Sequence, residues 1–226
     1  MPAATMMDIA STTHTVASNV LKRLSVALPH TKQQPQQPQS QPKPELVPPP
    51  PSKRTPTSSS PAEQQQQVID LVCAFLDERV VQDQHLVIEQ AEYVCFQGPK
   101  QPEISLRDYV IRLVKYANNF CEDEPRADSS GIRSLFMALE FLHRANAVIN
   151  YKTVHRYLLV SMLVAVKYME DFVMEGSYWG AVGGCTVPEL NLYEQKFLAQ
   201  LRFQCYVSRE RFNQINDEFG APFDEL

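Results

Sequence analysis

The sequence predicts an all-α domain preceded by a tail that builds no core. Three observations carry this. Apolar residues recur at helical spacing from Val68 to Phe219, and nothing in that span reads convincingly as a strand. One stretch, Thr153 to Asp171, is apolar on every face through its middle, with Ser161 its only small polar interruption, the pattern of a helix buried among others. Before Val68 the chain is dominated by Gln, Pro, Ser and Thr, and such a composition buries too little apolar surface to offset the entropy of ordering.

Met1 to Leu28 is weakly amphipathic and poor in acids, faintly like an organelle transit peptide, but its single arginine, Arg23, departs from the Arg-rich pattern of such peptides. Lys32 to Gln67 reads as a low-complexity linker favouring polyproline II. Within it, Pro48, Pro51 and Lys53 fit a groove-binding P-x-x-P-x-K ligand, with a semi-rigid spacer as the plainer alternative. Thr55-Pro56 and Ser60-Pro61 are candidate sites for a proline-directed kinase. The domains expected are therefore residues 1–67, a disordered tail and linker, and residues 68–226, a helical domain.

Val68, Leu71, Val72, Phe75 and Leu76 predict an amphipathic helix to about Gln84. Pro99 and Pro102 punctuate the chain after it. Ser105 is placed to cap the next helix, to about Asn118, with Asp108 three residues on. Cys121 to Ser129 reads as a charged loop. A helix from Ser130 to about Ala147 would bury Ile132, Leu135, Phe136, Leu139, Phe141 and Leu142. The central helix follows. It is too short and too soon bounded by charge to cross a bilayer, which takes about 20 apolar residues. Gly176 to Gly184 reads as a loop holding Trp179. Pro188 suits the first turn of a helix through Leu190, Tyr193, Phe197 and Leu201, and Ser208 caps a last one carrying Phe212, Ile215 and Phe219.

Charge and motif content narrow the function. The net charge is -5, but the chain before Gln66 is +3 and the remainder -8. An acidic domain lacks the basic footprint that nucleic-acid backbones require. The five cysteines, Cys73, Cys95, Cys121, Cys185 and Cys205, form no C-x-x-C pair, which speaks against zinc and for reduced, buried thiols in the cytosol or nucleus. No nucleophile elbow or phosphate-binding glycine loop is present. Gly183-Gly184 is too short for a phosphate cradle. His143 and His155 read as partly buried, hydrogen-bonded side chains. Cys185 as a nucleophile has no local activating signature; an enzyme built on it would need a depressed thiol pKa. No cofactor is expected. Lys167 closes the buried part of the central helix, and a lysine there must reach solvent or meet an acid.

Four strings, in order, resemble the cyclin box of P/U-type cyclins, the group similar to yeast phosphate-pathway cyclins. They are Phe96 to Ala117, Ile149 to Leu159, Val164 to Asp171, and Tyr178 to Gly184 continuing through Glu189 to Leu198. The resemblance implies a single five-helix box around its third helix, with an extra N-terminal helix. It implies a non-catalytic regulatory subunit that forms a heterodimer with a cyclin-dependent protein kinase, in the nucleus or cytoplasm, in cell-cycle or nutrient (phosphate) signalling. By the same resemblance Lys167 is the kinase-binding lysine and Glu194 its partner. Some positions differ from cell-cycle cyclins: Glu103 or a near neighbour falls where they have Arg, Tyr109 where they have Trp, His143 where they have Asp, and Arg156 replaces an aliphatic residue, as is usual in the P/U group. These departures leave room for an alternative, a cyclin-fold adaptor for a non-kinase partner such as a transcription assembly.

Overall fold

The computed structural model describes residues 61–118 and 130–220. Among them lie seven α-helices and one 3-10 helix, with no strand: α1 Pro61–Asp83, the 3-10 helix Ala91–Phe96, α2 Leu106–Ala117, α3 Ser130–Arg144, α4 Val154–Met169, α5 Gly176–Gly183, α6 Val187–Gln200 and α7 Arg209–Glu218. Helix α4 is the axis, in contact with α2, α3, α5 and α6. Every residue from Val154 to Val166 is buried except the half-buried Arg156. None of the described helices is long and apolar enough to cross a membrane.

The helix ends follow local chemistry. Ser105 accepts the Asp108 amide, and Ser208 the Arg211 amide, each satisfying a donor left open at a helix start. Thr186 and Glu189 form a reciprocal capping box on α6, with Pro188 in its first turn. Asn118, which ends α2, accepts the Gly131 amide at 2.6 Å and so caps α3 from outside it. Gly131 must be glycine here, since a Cβ would stand 2.5 Å from the Val114 carbonyl oxygen.

Three expectations are corrected. Helix α1 begins at Pro61, inside the stretch read as linker: glutamine and glutamate are good helix formers, and proline suits a first turn. Helix α3 stops at Arg144 rather than near Ala147, because Asn146 takes a left-handed φ of 47° and the following amide turns back to Leu142. Gly176 to Gly183 is helix, not loop. Its glycines lower intrinsic propensity, but they allow close packing: a Cβ on Gly180 would meet the Cys185 carbonyl oxygen at 2.8 Å, and one on Gly183 would collide with Leu159. The turn is completed by Gly184 at φ 71°. The 3-10 helix was also not foreseen. It delivers Phe96 into the core, stacked on Tyr157 at 4.2 Å.

Helix α7 is fixed by aromatic and ionic contacts. Phe136 of α3 stacks on Phe219 and lies near Phe212, and Phe75 of α1 meets Phe219 edge-on. The buried Glu140 carboxylate takes Arg144 on one oxygen and Arg211 on the other, each at 2.8 Å. A second buried acid, Asp83, accepts from Arg79 at 2.9 Å and from the Ile149 amide at 3.0 Å, tying α1 to the turn that leads into α4.

Candidate functional site

Lys167 lies in the last turn of α4, where a cation is favoured by the exposed carbonyl end of the helix. Glu194 is in the middle of α6, which packs across α4. The lysine Nζ donates to Glu194 Oε1 at 2.5 Å. The lysine side chain is 44 % exposed and the carboxylate 19 %. The ammonium is thus anchored on one side by its acid and open to solvent on the other. Both alternatives read from the sequence, an acidic partner and a reach to solvent, are realised together.

Beyond Lys167 two large rings reach the surface among acidic side chains. Tyr168 is half exposed while its ring meets Phe141 edge-on, and Phe172, five residues past Lys167, is exposed. After α6, Phe203 and Tyr206 are each 72 % exposed. Arg144 donates to the carbonyls of Gln204 and Tyr206 and holds that segment on the end of α3. Exposed aromatic rings of this kind favour association, and Tyr168 is the one adjoining the tethered charge in sequence. None of these four rings was picked out as a surface residue from the sequence. They lie at and beyond the ends of α4 and α6, where no periodicity marks which side chains face outward.

The other sequence candidates fall into place more plainly. His155 is buried and its Nε2 faces the Ile104 carbonyl at 3.2 Å, and its ring packs against Tyr109. Burial pushes the pKa of both His143 and His155 below the ordinary value, with Glu140 opposing the effect at His143. Cys73 is buried and its thiol is pushed up to about 12, first by burial and then by Asp77 and Asp70. Cys95, Cys185 and Cys205 are only half buried, a correction to the expectation of fully buried thiols. Burial, with Glu189 adding to it, raises the Cys185 pKa, the opposite of what a nucleophilic thiol requires. Thr55, Ser60 and Cys121 lie outside the described residues.

Arg156 has a structural part that the sequence did not reveal. Its guanidinium donates to the carbonyls of Cys95 and Gln97 and stands 5.3 Å from the centre of the Tyr193 ring. It thereby ties the end of the 3-10 helix to α4 and α6.

Comparison with known proteins adds a family. A model of the family described as Cyclin matches residues 15–205. Cyclin-U4-1 of Arabidopsis thaliana is 33 % identical over 154 residues, covering 65 % of this chain and 73 % of the relative. Cyclin-P3-1 of Oryza sativa subsp. japonica is 28 % identical over 149 residues, covering 64 % and 60 %. Cyclin-P4-1 of the same species is 32 % identical over 125 residues, covering 55 % and 56 %. Most of these matches span less than two thirds of the relative's own length.

Proposed function

This chain belongs to the cyclin family, in its P/U type, and on that premise we propose that it is the regulatory subunit of a cyclin-dependent protein kinase, bound through Lys167 and Glu194. The observation that carries the reading is the ion pair at the end of the central helix, held on one side and open on the other. A partner covering Lys167 would strip water from the ammonium. Glu194 would keep it compensated while its remaining N–H groups donated to backbone carbonyls of the kinase. The exposed rings of Tyr168 and Phe172 would supply apolar area beside that contact.

The work asked of such a subunit is binding work. A kinase needs its Lys–Glu ion pair assembled for phosphoryl transfer, and the position of its αC helix controls that assembly. A partner with higher affinity for the assembled arrangement shifts the population toward it. No group on this chain needs to touch the reacting phosphate. The setting we propose is control of division or of the response to nutrients such as phosphate, in the nucleus or cytoplasm.

The test is affinity purification of the full chain and of Lys167→Ala. A cyclin-dependent kinase should co-purify with the first and be lost from the second, with helicity by circular dichroism unchanged. Recovery of a stable non-kinase partner and no kinase would instead establish the adaptor reading.

A further inference from the structure

The segment that follows Lys167 sets exposed rings among acids. Phe172 is 66 % exposed and Tyr168 46 %. Between and beyond them, Glu170 is half-buried and Asp171 and Glu175 are exposed. From Tyr168 to Gln195 the chain carries no lysine or arginine. Met169, Val173 and Met174 pack against the core, so the segment lies down on the domain and leaves the Phe172 ring outside. An occupant suited to this face is apolar where the rings are and basic beside them.

This chain carries such a segment. Between Asp8 and Glu45 it has no acid, while Lys22, Arg23, Lys32 and Lys43 fall there. Val16, Val20, Leu21, Leu24 and Leu28 recur at helical spacing, and Lys22-Arg23 stands within that run. These residues lie outside the described ones. Residues 29–60 join them to the start of α1. Fully extended, that stretch reaches about 100 Å at 3.3 Å per residue. The path half-way round a domain of this size is only about 60 Å.

We infer that residues 16–28 dock in cis on the Tyr168–Phe172 face. Their apolar residues cover the two rings, and Lys22 and Arg23 meet Glu170, Asp171 and Glu175. Other occupants suit the face less well. A second copy of the domain brings a charge of -8 against -8. An anionic lipid surface is repelled by the same acids. The tether favours the chain's own segment further. It supplies an effective concentration of up to about 1 mM, so a contact with a dissociation constant near 0.1 mM is closed in about nine molecules of ten.

The docking itself needs only the tail and the domain. If Lys167 meets a kinase, the docked segment covers rings that the kinase would use and opposes its binding; that consequence rests on the reading given above.

The experiment titrates a fluorescent peptide of residues 13–30 into the full chain carrying Leu21→Asp/Leu24→Asp, whose own segment is disabled. The expected result is saturable binding that weakens with salt. Binding to the parent chain should be at least fivefold weaker, because its own segment competes. Adding Phe172→Ala or Asp171→Lys to the tail variant should also weaken binding at least fivefold. Both change exposed side chains, and unchanged thermal melts guard against misfolding. In the full parent chain, hydrogen exchange should show protection over residues 168–175 that Leu21→Asp/Leu24→Asp removes. Lys167→Ala should leave peptide binding intact while abolishing kinase co-purification, so the two readings fail separately. No saturable binding to the chain, binding unchanged by both face variants, or protection that arises on another face would overturn the proposal. Binding of the peptide to anionic vesicles but not to the chain would overturn it in favour of a targeting segment.

Discussion

Replacing Lys167 by alanine separates the stability of the fold from the affinity of the face. In the free chain the pair is partly solvated, with the lysine side chain 44 % exposed. Exposed ion pairs contribute about 0.2–1 kcal/mol. In a domain of this size, 1 kcal/mol moves the melting temperature by about 2–4 °C, so Lys167→Ala should melt within a few degrees of the parent. The bound state differs. Once a partner covers the ammonium, its desolvation is offset only by Glu194 and by the new carbonyl acceptors. Truncating one half of such a pair costs about 2–5 kcal/mol of binding, or roughly 30-fold to a few thousand-fold in dissociation constant. Titration against the co-purified kinase, with parallel thermal melts, reads both quantities. Glu194→Ala should fall in the same range. Because the two act together, the double variant should lose far less than the sum of the single losses. A change under about threefold for both singles, or strict additivity in the double, would refute a joint role for the pair.

Three further outcomes follow from packing and burial. Glu140→Ala leaves two largely buried guanidinium groups without their acid and should cost about 3–5 kcal/mol in urea unfolding, with Glu140→Gln milder; a loss below about 1 kcal/mol would contradict the bridging role. Gly183→Ala forces a methyl group onto the buried Leu159 and should destabilise by about 1–3 kcal/mol, partly relieved by adding Leu159→Val, as read by thermal melts; a neutral substitution would mean the α4–α5 contact is looser than described. The depressed pKa values of His143 and His155 mean that below the ordinary value of 6.5 the unfolded chain binds protons the folded chain does not. Stability should therefore fall as pH drops from about 7 through that window, and His143→Gln/His155→Gln should flatten the slope; an unchanged slope would exclude these histidines as its source.

Much of this structure could be read in the chain, because the informative signals are local. The all-round apolar run of α4, the caps at Ser105 and Ser208 and the first-turn Pro188 each express their own neighbourhood. Thr186-x-x-Glu189 is equally local, a capping box contained in four consecutive residues. Helix α5 was missed because its glycines weaken the local signal, and only contact with Leu159 and Cys185 explains them. The Lys167–Glu194 pair joins residues 27 apart in sequence. Spacing suggested a lysine in need of an acid, and resemblance to a family supplied which one. The gathering of four cations around one cavity was not legible at all. Lys100, Arg112, Lys152 and Arg156 come from three separate segments, and no periodicity marks residues that meet only when α2 and α4 pack.

After α6 the backbone takes two successive left-handed residues, Arg202 at φ 54° and Phe203 at φ 57°, neither of them glycine. Conformations of that kind cost about 1–3 kcal/mol each, and the surrounding contacts must impose them. Here the Phe203 amide turns back to Leu198, and Arg144 holds the carbonyls that follow. The free molecule has therefore already spent conformational freedom on this turn. A surface that closed on this turn would meet a backbone frozen in advance, with little further entropy to be surrendered there.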